Sequence, residues 1–255
     1  MKCTIEGKYM QRVVIITGAG RGIGREIALK ISERGDISIV VDKDFNLAKE
    51  TEDLIRRSGF AASSYNADLT KPDEVARVFQ EIVTNTQKID VLINNAGYYT
   101  VPKPIEELTV DFWDFVITAN LKTSFLCSLE AFKYMKILQC GKIINISSAL
   151  ALTSATGFCP YITAKAGIIG LTRALAMDMG PYNITVNAIA PGLTSTEYTY
   201  QVMGHEIFDR VKQLRALKRD QLPSDLTGTV LFLIDRASDF ITGQTIVVDG
   251  GRAFI

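Results

Sequence analysis

The chain has 255 residues, 47% hydrophobic and 22% charged, which is enough apolar material for a substantial buried core. Its 28 Lys and Arg balance 28 Asp and Glu, so the formal net charge is zero. That balance excludes the long-range attraction that draws basic proteins to nucleic acid or to an anionic membrane.

No apolar run is long enough to span a bilayer, and residues 1–11 are polar, without the apolar core of a signal peptide. Cys3, Cys127, Cys140 and Cys159 form no C-x-x-C pair, which fits free thiols in a reducing, cytoplasmic setting. With His205 as the single histidine, a His-based metal site or a Ser-His-Asp triad has little material, and no metal is expected.

Val13-Val14-Ile15-Ile16-Thr17 is a β-branched apolar run, the pattern of a strand buried on both faces. The glycine-dense turn from Gly18 to Gly24 cannot continue it. Beyond the turn Ile23, Ile27 and Ile31 recur at every fourth position, the inner face of a helix, and Gly35 supplies its stop. The loop therefore lies against a helix N-terminus, whose free N–H groups and positive dipole end suit a pyrophosphate. Gly18 permits the tight turn, Gly22 lets the backbone approach the phosphate, and Gly24 lets helix and strand pack closely. The G-x-G-x-x-G fingerprint would need glycine at position 23, where Ile23 stands; the pattern is Thr17-Gly18-x-x-x-Gly22-x-Gly24.

Residues 36–42 form a second buried strand ending in Asp42, eighteen residues after Gly24. That is about the offset at which a carboxylate meets an adenosine ribose. A helix over 45–58 and a strand over 61–67 lead to Asp68-Leu69. Pro72, Asp73 and Glu74 open a helix with Val75, Val78, Phe79 and Ile82 inward. Residues 89–93 form a fourth strand, followed by Asn94-Asn95-Ala96-Gly97. A long helical stretch runs over 113–138. A fifth strand over 142–146 ends at Ser147-Ser148. The helix over 161–179 carries Tyr161 and Lys165 and stops at Gly180-Pro181. A sixth strand over 184–190 leads to Pro191-Gly192. Residues 194–222 are the least regular and read as a lid; a helix over 223–234 and a strand over 244–248 complete the chain.

Strands alternate with helices, which predicts an α/β fold with a doubly wound parallel sheet covered on both faces. Ligands on such sheets lie at the C-terminal ends of the strands, where the glycine loop, Asp42, Asp68, Asn94 to Gly97, Ser147-Ser148 and Pro191-Gly192 all fall. Tyr161 and Lys165, four apart on a helix, share one face. A free tyrosine has a pKa of about 10, and a neighbouring ammonium stabilises its phenolate, so the pair suits proton exchange with an alcohol or carbonyl.

These motifs together resemble the short-chain dehydrogenase/reductase family over nearly the whole chain. The residues that carry the likeness are Thr17-Gly18-x-x-x-Gly22-x-Gly24, Asn94 to Gly97, Asn120, Ser148, Tyr161-x-x-x-Lys165 and Pro191-Gly192. The resemblance implies one Rossmann-type domain over 1–255 with a substrate lid around 193–222. It implies a tetrad in which Ser148 holds the substrate oxygen, Tyr161 exchanges its proton, Lys165 bonds the nicotinamide ribose and lowers the tyrosine pKa, and Asn120 holds a water. It places Gly18, Arg21, Gly22, Ile23, Gly24, Asp42, Asp68, Leu69, Asn95, Ala96, Gly97, Tyr161, Lys165, Pro191, Gly192, Thr194 and Thr196 around the nucleotide. Thr123, where the family often has glycine, and the lid depart from its pattern.

A carboxylate at position 42 accepts both ribose hydroxyl protons of NAD and repels a 2′-phosphate, so NAD is expected over NADP, although Arg21 and Lys43 pull the other way. Tyr98, Tyr99, Thr199, Tyr200, Met203 and Phe208 either wall an apolar pocket or pack a loop. His205, Cys159 and Asn187 are read as surface, filler and strand support. Phe125, Leu126, Leu129 and Phe132 exceed what one sheet face needs, and relatives bury such a helix between subunits, so a homotetramer is expected. The leading expectation is hydride exchange between NAD(H) and a secondary alcohol or its ketone. The alternatives are a 3-oxoacyl-acyl-carrier-protein reductase using NADPH and a non-catalytic NAD-binding regulator.

Overall fold

The computed structural model describes residues 11–254; the polar segment 1–10, with Cys3, lies outside the described residues. Seven strands form one sheet: β1 (Val13–Thr17), β2 (Ile37–Asp42), β3 (Ala62–Asn66), β4 (Val91–Asn94), β5 (Gly141–Ile146), β6 (Ile184–Pro191) and β7 (Thr245–Val248). Their spatial order is β3-β2-β1-β4-β5-β6-β7, and every neighbouring pair is parallel. The chain winds outward from β1 to β3, then returns to β4 on the other side of β1. This reversal opens a crevice at the C-terminal ends of β1 and β4, the expected ligand position in such a sheet.

The helices are α1 (Gly22–Glu33), α2 (Phe45–Arg57), α3 (Pro72–Thr86), α4 (Val110–Ile117), α5 (Thr123–Leu138), α6 (Leu150–Thr153), α7 (Cys159–Met179), α8 (Glu197–Leu214) and α9 (Ser224–Ile234). Alternation along β1 sends Val13 and Ile15 into one layer and Val14 and Ile16 into the other. The first layer is closed by Phe79 and Ile82 of α3, Met135 of α5 and Met179 of α7. The second is closed by Ile27 and Ile31 of α1, Ile55 of α2 and Val230 of α9. Fully burying each such side chain contributes about 1.5–3 kcal/mol, which fixes the strand ends in space and with them the site.

Two expectations need correction. Residues 194–222 are more regular than expected: α8 spans eighteen of them, capped by Thr196, whose hydroxyl accepts from the Thr199 N–H at 3.1 Å. Its interior is broken at Gly204, at φ +71°, so the apolar residues on either side follow no single helical period. The helix over 113–138 is two helices. It begins earlier, at Val110 behind the Thr109 cap, and is interrupted by a π-helical turn at Thr118–Lys122. Thr123 Oγ1 donates to the Thr118 carbonyl at 3.0 Å and Ser124 Oγ to the Asn120 carbonyl at 3.0 Å, so side chains bridge the widened turn.

Candidate active site

The turn after β1 is held from below. Thr17 Oγ1 accepts from the N–H groups of Asn95 and Ala96, each at 3.0 Å. The Asn95 side-chain amide donates to the carbonyls of Thr17 (2.9 Å) and Gly18 (3.0 Å), stapling the end of β4 to the glycine loop. Gly18 has φ +62°, and a Cβ there would stand 2.8 Å from the Ala96 Cα, so a side chain is excluded twice over. The first turn of α1 has no side-chain cap, which leaves its N–H groups for an outside anion. On this ground the loop fits a nucleotide pyrophosphate. Thr196 of α8 closes over it: a Cβ on Gly22 would lie 3.4 Å from the Thr196 methyl.

Asp42 serves the loop as well. One carboxylate oxygen accepts from the Gly20 N–H at 2.9 Å and the other from the Asp44 N–H at 3.0 Å. Arg21 stacks on the Tyr198 ring at 4.6 Å. Asp68 accepts from the Thr70 hydroxyl at 2.7 Å, a bond that, with the Lys71 ammonium nearby, holds its carboxyl below the usual range. Leu69 packs beside it in the core. Asn94 turns away into a buried network with Asn145 (2.8 Å) and Ser128 (2.9 Å).

A second cluster forms where β4, β5, α5 and α7 converge. Asn120, in the π turn, is 1% exposed; its amide donates to the carbonyls of Tyr98 (3.1 Å) and Val116 (2.9 Å) and accepts from the Tyr98 N–H (3.2 Å). A Cβ at Gly97 would stand 2.7 Å from Asn120 Oδ1 and 3.4 Å from Lys165 Nζ, so the bare glycine lets these two groups meet. Lys165 donates to the Ile146 carbonyl at 2.9 Å. Its ammonium lies 5.8 Å from the Tyr161 ring centre. Tyr161 packs edge-on to Tyr99, ring centres 5.1 Å apart.

The electrostatics differ from the expectation. Burial pushes the Tyr161 phenol up, the nearby Tyr99 adds to this, and only the hydrogen bond from Ser148 pulls it down. Lys165 is itself desolvated, and burial alone lowers its pKa to about 8. Both groups are driven toward their neutral forms.

The strand ends open into a cleft of about 660 Å³ that brings together Asn120, Ser148, Tyr161 and Lys165 with Ile23, Asn95, Gly97, Pro191, Gly192 and Thr194. Asp42, Asp68 and Leu69 lie to one side, at and beyond the ends of β2 and β3. Tyr98, Tyr99, Thr199 and Met203 wall the cleft, whereas Tyr200 stacks on the buried Phe208 at 4.1 Å and both serve packing. His205 and Cys159 are exposed, the latter against the filler expectation. Asn187 bonds the Ile241 carbonyl at 2.7 Å and the Gln244 N–H at 3.1 Å, bracing β6. Sequence reasoning missed Leu150, Phe158, Arg210 and Arg252 in the wall; Arg252 follows the Asp249-Gly250-Gly251 turn, and no periodicity points it inward.

A family model described as enoyl-(acyl carrier protein) reductase matches residues 18–253. The chain is also 35% identical over 248 residues to the 3-oxoacyl-acyl-carrier-protein reductase FabG of Aquifex aeolicus, covering 97% of this chain and 99% of that one. The chain belongs to the short-chain dehydrogenase/reductase family. Another short-chain relative is BbsD, a subunit of a hydroxy(phenyl)methylsuccinyl-CoA dehydrogenase from Thauera aromatica. It is 36% identical over 95% of this chain and 96% of its own. The structure of an NAD+-bound xylitol dehydrogenase superposes with a TM-score of 0.90 at 29% identity, over 96% of this chain and 100% of the other. This short-chain dehydrogenase/reductase is therefore a Rossmann-type, NAD(P)-dependent oxidoreductase acting on a CH–OH group or its carbonyl. Among the described residues no helix is long and apolar enough to cross a membrane.

Proposed function

We propose that the enzyme interconverts a secondary alcohol and its ketone, with Asn120, Ser148, Tyr161 and Lys165 as the working groups and NAD as the preferred nucleotide. The observation that carries this reading is the convergence of all four side chains on one cleft whose other end meets the glycine loop. When bound, the nicotinamide supplies or accepts the hydride. The chain handles the proton and the geometry. Ser148 positions the substrate oxygen beside the Tyr161 hydroxyl. Tyr161 donates its proton to a carbonyl oxygen in reduction and takes one from the carbinol in oxidation. Lys165 and Asn120, adjoining Gly97, hold the ribose side and the path by which the proton is replaced. Gly18, Gly22, Ile23 and Gly24 with Arg21 cradle the pyrophosphate. Asp42, Asp68, Leu69, Asn95 and Ala96 flank the adenosine, and Pro191, Gly192, Thr194 and Thr196 flank the nicotinamide. Residues 193–222 act as the lid of a single domain.

Support for NAD comes from Asp42, a carboxylate at the tip of β2, and from Arg21 being occupied by Tyr198. The FabG relative favours a second reading, an acyl-carrier-protein reductase using NADPH. Phe125 and Leu129, each 42% exposed on α5, and Phe115, 48% exposed on α4, offer the apolar face for a homotetramer; gel filtration with light scattering tests it. The buried thiol of Cys127 fits a reducing, cytoplasmic setting.

Absorbance at 340 nm with a panel of alcohols and ketones, NAD and NADP in parallel, tests the function. Tyr161→Phe is expected to lower kcat by about 10²–10⁴-fold with nucleotide binding retained. Turnover by Tyr161→Phe at the parent rate overturns the assignment, and selective use of acyl-carrier-protein thioesters with NADPH favours the second reading.

A further inference from the structure

The charges facing the cleft are one-sided. The chain as a whole is formally neutral. Yet the cleft is lined by Lys165, Arg210 and Arg252, and no Asp or Glu stands among the described residues that line it. Lys165 belongs to the nucleotide side. The two arginines lie elsewhere, Arg210 on α8 and Arg252 on the turn after β7. Neither guanidinium has an ion-pair partner among the described residues. Arg210 is exposed and Arg252 half-buried; an unpaired guanidinium half-buried in a concave, partly apolar site focuses positive potential on whatever enters.

Arg252 is presented by a built turn. The Asp249 carboxylate, 3% exposed, accepts from the N–H groups of Gly251 (2.9 Å), Arg252 (3.0 Å) and Ala253 (2.8 Å). That carboxylate faces the backbone and makes no ion pair with the Arg252 guanidinium among the described residues. Gly250 and Gly251, at φ +74° and +79°, allow the chain to double back. The charge of Arg252 acts on the Tyr99 hydroxyl, opposing the burial that raises its pKa to about 12. Tyr99 in turn touches Tyr161. Arg252, Tyr99 and Tyr161 line the same cleft. The same wall carries the apolar side chains of Leu150, Phe158 and Met203.

We infer that the substrate is an organic acid, with an apolar body between the reacting carbon at Tyr161 and a carboxylate held by Arg252, assisted by Arg210. A planar guanidinium matches a carboxylate with two parallel hydrogen bonds. The inference rests on the reading of Tyr161 and Ser148 as the reacting end, and it names the substrate class of that site.

Matched probes test it: 3-hydroxy-3-phenylpropanoate and 3-hydroxybutanoate against the amides of the same acids, with NAD, in the parent, Arg252→Met and Arg252→Lys. The parent is expected to favour the acids at least tenfold in kcat/KM, chiefly through KM. Arg252→Met should cut that preference about tenfold to a hundredfold, with partial recovery in Arg252→Lys. Equal use of acids and amides by the parent, or an acid-to-amide ratio that Arg252→Met leaves unchanged, overturns the inference. An Arg252-dependent preference for the coenzyme A thioesters over the free acids also overturns it, by moving the anion onto a carrier phosphate. If the parent turns over none of the probes, the panel of alcohols and ketones decides the proposed function separately. The anion site is then read by calorimetric titration of the nucleotide-loaded protein with 3-hydroxy-3-phenylpropanoate. Binding weakened at least tenfold by Arg252→Met upholds the site, and binding that is absent or indifferent to Arg252 overturns it.

Discussion

Replacing Lys165 with methionine tests the electrostatics of the cleft without measuring turnover. The lysine is 5% exposed, and its ammonium donates to the Ile146 carbonyl at 2.9 Å. Burial takes its pKa from 10.5 to about 8. At roughly 1.4 kcal/mol for each tenfold change in proton affinity, that costs the folded state about 3 kcal/mol at neutral pH. Below pH 8 the group is charged in folded and unfolded chains alike, and the full cost is present. Between about 8 and 10.5 the folded protein releases the proton first, so the unfolded state binds more protons and stability rises with pH. Above 10.5 both are neutral and the cost is gone. Methionine removes the cost at every pH but strands the Ile146 carbonyl, a loss of about 1 kcal/mol. Lys165→Met is therefore expected to be about 2 kcal/mol more stable than the parent at pH 7. By pH 9.5 that advantage should shrink by about 2 kcal/mol. The assay is urea unfolding at a fixed protomer concentration, because assembly also shifts apparent stability. A difference that stays flat from pH 7 to pH 9.5 refutes a desolvated cation at position 165.

Three further perturbations address the scaffold of the site. Asp42→Ala should reduce the NAD over NADP preference in kcat/KM by about tenfold, the loss of one facing like charge; an unmutated enzyme that prefers NADP sinks the cofactor assignment. Thr17→Val strands the Ala96 N–H and leaves the Asn95 N–H only the Ile93 carbonyl, and should cost about 1–2 kcal/mol in urea unfolding, with weaker nucleotide binding by calorimetry. Gly97→Ala puts a methyl 2.7 Å from Asn120 Oδ1, so kcat should fall at least tenfold while circular dichroism stays that of the parent; unaltered kcat shows that this close approach is not used.

The inner strands were legible because they are buried on both faces and written largely in β-branched residues: Val13 to Thr17 and 37–42 need no tertiary context to be read. The site positions were legible for a related reason, since loops at strand ends must carry the glycines and short polar residues that a strand rejects. The π turn at Thr118–Lys122 was not, because one extra residue in a turn barely alters an apolar period, and the bonds that bridge it come from Thr123 and Ser124. Arg252 was invisible because its direction depends on the Asp249 turn rather than on any local repeat.

The charge state of the Tyr161–Lys165 pair shows the same boundary more sharply. A four-residue spacing fixes that the two side chains share a face, but not the dielectric around them. Desolvation acts with opposite signs on an acid that gains charge and a base that loses it, so the phenol rises and the ammonium falls. The proton consequently rests on Tyr161, and above about pH 8 the lysine beside it is neutral as well. In the proposed reaction a protonated Tyr161 is what carbonyl reduction requires. Alcohol oxidation needs the phenolate, the form that burial disfavours. The protonation of the pair is therefore set by its environment rather than by its spacing.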